Sequence, residues 1–153
     1  MAVPRKFRLE RVLRLREQRE KDLQGQLARV YQRQVEQQTL LGRMHDNRAT
    51  QIEMITSELS SERVEMTYVQ FGGAYLERLQ SLIDRQSNVV KLAARATDRK
   101  RVEVHQAMKA RKAIDKLREH WHEALLDEDR QRDIKIVDEI STVRFNRRER
   151  GDA

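Results

Sequence analysis

The sequence predicts an all-α protein, a long antiparallel two-helix coiled-coil hairpin with the second helix overhanging the first. Three observations carry that expectation. Between Tyr75 and Ala124 the chain steps alternately by four and three residues through Tyr75, Leu79, Leu82, Gln86, Val89, Ala93, Ala96, Lys100, Glu103, Ala107, Ala110, Ile114, Leu117, Trp121 and Ala124. Twelve of these fifteen are apolar in a chain that is only 38% hydrophobic, and a mean step of about 3.5 residues keeps one helical stripe facing a partner helix. Five glycines and one proline in 153 residues are too few turn-formers for a globular domain. Charged residues at 37% and aromatics at 5% suit solvated helices better than a large core. Disorder is the competing outcome for so polar a chain, and the sustained heptad argues against it.

The elements follow in order within a single coiled-coil domain, residues 1–153, with short flexible termini. Pro4 sits where a helix start tolerates its missing N–H, and a first helix is expected over about 5–58. Its seam reads Leu9, Leu13, Arg16, Glu20, Leu23, Leu27, Val30, Gln34, Gln37, Leu41, Met44, Arg48, Gln51 and Ile55, with eight of fourteen apolar. Gly25 and Gly42 each cost the helix about 1 kcal/mol against Ala, so this is the softer helix. A turn is expected at about 57–65, where Ser57, Ser60 and Ser61 offer capping hydroxyls and Ser61-Glu62-Arg63-Val64-Glu65 loosely resembles a capping box. Gly72-Gly73 is the alternative break. The second helix is expected over about 66–148. At ~1.5 Å per residue the two helices span roughly 75–80 Å and 110–120 Å, so the second must outrun the first. The overhang, from about residue 125, carries Ile134, Ile136, Val137, Ile140 and Val143, and an apolar stripe without an intramolecular partner calls for another protein.

Several functions are excluded on physical grounds. No apolar run approaches the ~20 residues that span a bilayer, and no stretch of signal-peptide length follows the basic N-terminus. The absence of cysteine rules out disulfides and thiolate metal sites and is compatible with a reducing compartment. A cytoplasmic protein without direct membrane insertion is the expectation. His120-Trp121-His122-Glu123 is not a helical metal site, because i and i+2 diverge and the i, i+4 pair of a helical zinc motif is missing. Trp121 falls on the seam and reads as packing. No phosphate-binding glycine motif occurs, and a two-helix rod encloses no pocket in which catalytic groups could be desolvated. No cofactor and no enzymatic activity are expected.

Charge is the remaining clue. The net +7 comes from 32 basic against 25 acidic residues, and it gathers at the ends. Residues 1–19 hold seven basic side chains against Glu10 and Glu17, and 144–150 hold Arg144, Arg147, Arg148 and Arg150 against Glu149. A fold-back could bring both patches to one end. The N-terminal cations are interleaved with Leu9, Val12, Leu13 and Leu15, unlike a base-reading helix, so nucleic acid is not expected and the clusters either seat in an acidic protein surface or form a solvated face. Phe71 and Tyr75 lie four apart on one helix face with Leu76 alongside; they serve either as a plug for the hairpin end or as a docking patch.

Three segments together resemble the family of the flagellar type III export protein FliJ. They are Lys6-Phe7-Arg8-Leu9-Glu10-Arg11-Val12-Leu13-Arg14-Leu15-Arg16, then Gln70-Phe71 with Tyr75-Leu76-Glu77-Arg78-Leu79, and Asp133-Ile134-Lys135-Ile136-Val137-Asp138-Glu139-Ile140 with Arg147-Arg148. The resemblance covers nearly the whole chain as a layout of charged helices. It implies a non-enzymatic stalk or adaptor of flagellum biogenesis and protein transport, and so of motility and chemotaxis. Such a protein would be cytoplasmic and peripherally associated with the membrane export apparatus. Its implied partners are the flagellar export ATPase hexamer, the cytoplasmic domain of the membrane export gate, and export chaperones. By position, the resemblance assigns ring contact to Arg5, Arg8, Arg11, Arg14, Asp138, Arg144, Arg147 and Arg148, and gate contact to Phe71, Tyr75 and Leu76. The homologous stalk of injectisome-type secretion and a generic coiled-coil scaffold or tether stay open as alternatives.

Overall fold

The computed structural model describes residues 3–151, with the side chains of 148–150 outside the description. It is a helical hairpin of two elements, α1 (Glu10–Leu59) and α2 (Met66–Gly151), and no described residue lies in a strand. The contacts divide it into two units, one formed by residues up to Glu20 with those from Ala107 onward, the other by Lys21–Gln106.

The turn that reverses the chain belongs to the second unit and is built from hydroxyls and one carboxylate. The Ser60 hydroxyl donates to the Thr56 carbonyl at 2.9 Å, and the Ser61 hydroxyl donates to the carbonyls of Glu58 at 2.8 Å and Arg63 at 3.0 Å. The Glu65 N–H donates to Glu58 Oε1 at 2.9 Å. Ser61 therefore closes the end of α1, where the capping-box spacing had it opening the second helix. It occupies carbonyls that the last turn of a helix leaves unpaired. Gly72 and Gly73 lie inside α2, and no described glycine has positive φ. Gly72 has a packing reason to lack a side chain, since a Cβ there would lie 2.7 Å from Ile55 Cδ1 and 2.9 Å from Ile55 Cγ1. Gly73 has open space around it.

In this unit the two helices run antiparallel. Gln86 donates through Nε2 to both the main-chain carbonyl (3.2 Å) and Oε1 (2.8 Å) of Gln37, and Asn47 Nδ2 donates to the Tyr75 hydroxyl at 2.9 Å. The α1 seam from Leu23 to Ile55 is half-buried at each of the ten expected positions. On α2 the expected seam is half correct. Leu79, Gln86, Ala93 and Lys100 face the partner helix, but the positions between them are Ile83, Val90 and Thr97, one residue beyond those expected. Leu82 and Val89 are 42% exposed, whereas Ile83 is 3% and Thr97 1% exposed. The cause is visible in the sequence: apolar doublets Tyr75-Leu76, Leu82-Ile83 and Val89-Val90 recur every seven residues. Each heptad thus offers three seam candidates, and a single partner helix covers two.

The same shift runs through the first unit. Ala107, Arg111, Ile114, Trp121 and Leu125 are covered, and Leu117 and Ala124 are exposed. On α1, Leu13 is 1% exposed and Glu17, not Arg16, turns inward. Burying Leu13 is worth about 2 kcal/mol, and few other large side chains match it here. A charged cluster takes their place. Glu20, only 8% exposed, receives Arg111 Nε at 2.6 Å, and Arg111 also pairs with Asp115 one turn along α2. The Glu20 hydrogen bond raises the guanidinium above its already high range against the opposing effect of burial. Arg111 therefore stays charged wherever the protein is folded.

Residues 3–9 precede α1 as a non-helical strap laid on α2. The Trp121 indole N–H donates to the Pro4 carbonyl at 2.7 Å, and the Phe7 and Trp121 rings lie 5.7 Å apart and tilted by 42°. The Val3 N–H donates to Glu128 Oε2 at 2.8 Å, and Arg5 pairs with Asp129 at 3.6 Å. Beyond these contacts α2 continues as an overhang in which every described side chain from Gln131 to Arg147 is exposed.

Two consequences can be measured by thermal unfolding. Gly73→Ala should stabilise the hairpin by about 1 kcal/mol through helix propensity, whereas Gly72→Ala must displace Ile55 and should fall clearly below it. Glu20→Leu alone should lower Tm by stranding Arg111. Glu20→Leu with Arg111→Leu should recover the loss, because an apolar pair replaces a partly buried ion pair without unpaired charge.

Candidate partner-binding surfaces

Two surfaces stand out, one in each unit, and neither resembles a catalytic site. Among the described residues no three His, Asp or Glu gather closely enough to hold a metal ion. All four histidines are exposed, and the one ionic contact made by any of them is His120 Nδ1 to Glu123 at 3.4 Å. No helix of the described residues is long and apolar enough to cross a membrane.

The first surface is the basic end. Arg5, Arg8, Arg11 and Arg14 are exposed, as are Asp138, Arg144 and Arg147, all in the first unit. Arg148 lies in α2, but its side chain is outside the described residues. Arg5 and Arg14 are engaged with Asp129 and Glu10, each at 3.6 Å. Arg8, Arg11, Arg144 and Arg147 have no ion-pair partner among the described residues. Exposed pairs of this kind contribute about 0–1 kcal/mol, so a partner's carboxylates can displace them. The two arginine groups share a unit without touching, because the rise of α2 carries Arg144 roughly 20 Å past Asp129. The overhang between them exposes Ile134, Ile136, Val137, Ile140, Val143 and Phe145. These side chains are off the register of the preceding seam, whose continuation would pass through Arg132, Lys135, Glu139 and Thr142. At 100° per residue they form two stripes, Ile134, Val137 and Phe145 on one side and Ile136, Ile140 and Val143 on the other.

The second surface surrounds Phe71, which is 73% exposed. Tyr75 is exposed beside it, one turn along α2, its hydroxyl held by Asn47. Leu76 is half-buried at a seam position toward α1, so the structure separates it from the outward pair. Sequence reasoning missed that the patch is longer. Tyr68 and Leu82 are also exposed, one heptad before and after Tyr75, and Tyr68 shares a shallow hollow with Met54 of α1. Exposed Arg78 and Arg85 rim it at the neighbouring helical positions. The signal that could have found it is the unused member of each apolar doublet, which a helix with one partner leaves facing water.

The strap was missed as well. Phe7 was legible only as an apolar residue in a basic stretch, and nothing local links Pro4 to an indole 117 residues away.

Comparison with curated proteins and with solved structures yields no significant match. A family model described as the flagellar FliJ protein matches residues 5–150 of the 153, spanning both helices and both surfaces. The chain therefore belongs to the FliJ family, helical, non-catalytic components of flagellar protein export.

Proposed function

We propose that the protein acts as a non-enzymatic stalk and adaptor of the flagellar export apparatus, with the overhang and its flanking arginines inserted into the ring of the export ATPase. The observation that carries this reading is the overhang. From Gln131 to Arg147 the helix has no intramolecular cover, yet it exposes six large apolar side chains beside Arg144 and Arg147. Apolar side chains on two sides of a helix, interspersed with cations, fit a ring lumen with apolar walls and acidic rims that surrounds it. A helix of this kind meets six identical subunits unequally, so it stabilises some nucleotide states over others and couples to turnover without chemistry of its own. Arg5, Arg8, Arg11 and Arg14 add contacts at the ring mouth.

The Phe71–Tyr75 surface is assigned to the cytoplasmic part of the membrane export gate, with Tyr68 and Leu82 extending it and Arg78 and Arg85 favouring an acidic partner. Leu76 contributes by supporting the hairpin seam beneath the patch. The same exposed helical faces would serve in escorting export chaperones. The working location is the cytoplasm, in peripheral association with the export machinery.

Purified protein should raise the turnover of the export ATPase and promote its hexamer, and Arg144→Glu with Arg147→Glu should abolish most of that effect. No stimulation together with no binding at low salt, where charge contacts are strongest, would remove the stalk reading. For the gate surface, Phe71→Ala with Tyr75→Ala should weaken binding about tenfold or more, as loss of an aromatic anchor does, with circular dichroism unchanged. Unaltered affinity of that double variant would exclude the patch.

A further inference from the structure

The strap over Trp121 does more than end the hairpin. α1 begins at Glu10, so the α2 seam at Trp121 and Leu125 would be bare without residues 3–9. Among the described residues the strap meets α2 through an indole-to-carbonyl hydrogen bond, a tilted ring contact, an amide-to-carboxylate hydrogen bond and an exposed ion pair. It joins α1 through the Glu10 N–H to the Phe7 carbonyl at 3.3 Å and the Leu13 N–H to the Leu9 carbonyl at 2.9 Å. Each is weak, and together they stand against the entropy of ordering a non-helical segment with no internal hydrogen-bond ladder. A binding partner can therefore offset the loss of these contacts. The strap is also charged in a particular way: Arg5 is committed to Asp129, while Lys6 and Arg8 on either side of Phe7 are exposed. Asp129 and Glu128 have a second cation within reach, since Arg132 bonds both at 3.3 Å. Releasing Arg5 therefore leaves both Asp129 and Glu128 paired with Arg132.

We propose that residues 3–9 form an N-terminal latch, closed over Trp121 in the free protein and opened when an acidic protein surface takes Arg5 and its neighbours, uncovering Trp121 and Leu125 as a second, apolar contact for that same partner. Engagement at the basic end then proceeds in two steps, charge capture first and apolar burial second, linked by a segment that can occupy only one place at a time. The latch rests on the ring-contact reading for the identity of the partner. Its closed state stands on the geometry alone.

Trp121 is the one tryptophan in the chain, so it reports the latch directly. With fluorotryptophan incorporated, fluorine NMR of the full-length protein should give a resonance that shifts in Phe7→Ser, and acrylamide should quench that variant's indole more strongly than the wild type. Val3→Pro, which removes the N–H donated to Glu128, should shift the resonance the same way, and both variants should keep full helicity. At saturating export ATPase the wild-type and Phe7→Ser resonances should converge on one position, distinct from that of the free wild type and less quenched by acrylamide than free Phe7→Ser. Identical resonances and identical quenching in wild type and both variants would overturn the latch. Binding of the ATPase with Trp121 still in its closed environment would overturn partner-driven opening while leaving the stalk reading intact. Failure of the ATPase to bind would overturn both.

Discussion

One helix can cover two positions per heptad of another, and α2 offers three. Much of the molecule depends on that mismatch. α1 takes Leu79, Ile83, Gln86, Val90, Ala93 and Thr97 and leaves the flanking set facing water. Where the flanking set is large, at Tyr68, Phe71, Tyr75 and Leu82, it leaves an exposed apolar and largely aromatic patch. The covered seam and the exposed patch both come from the same repeat.

Polar groups in the seam decide which two positions are covered. A seam of small and medium apolar residues specifies register weakly, because Ala and Val lose little when displaced by one step. Glu20 with Arg111, and Gln37 with Gln86, lose bonded partners if α2 turns about its axis, whereas the Thr97 hydroxyl bonds the Ala93 carbonyl of its own helix at 3.1 Å and would survive that turn. Such pairs contribute modestly to stability but single out one arrangement. In this chain the bond to Glu20 holds Arg111 toward α1 beside the more apolar Ala110.

That selection also explains what could be read in advance. The α1 seam from Leu23 to Ile55 was legible, because its large apolar doublets, Val30-Tyr31, Leu40-Leu41 and Met54-Ile55, do not recur in successive heptads. Serine-rich composition located the turn, although the role of Ser61 was reversed: a hydroxyl serves a preceding helix end as readily as a following one. On α2, counting apolar residues chose Leu82 and Val89, because a count gives no weight to the bond Arg111 makes with a carboxylate 91 residues away. The exposed arginines and Phe71 were legible as surface. The strap was not, since its contacts join Val3, Pro4 and Phe7 to residues far along the chain with no repeating pattern to announce them. Leu76 was grouped with Phe71 and Tyr75 by adjacency in sequence, and the helical turn of 100° per residue separates it from them in space.

The central claim is that the end of α2 is a free helix awaiting a surface. Hydrogen exchange with mass spectrometry tests it most directly, because amides in an unsupported helix open locally while those in a paired segment do not. In the free protein, peptides from residues 131–147 should exchange much faster than those from 76–115, and they should become protected when the export ATPase is added. Equal protection of both regions in the free protein, or no change in the overhang at saturating ATPase, would contradict the account.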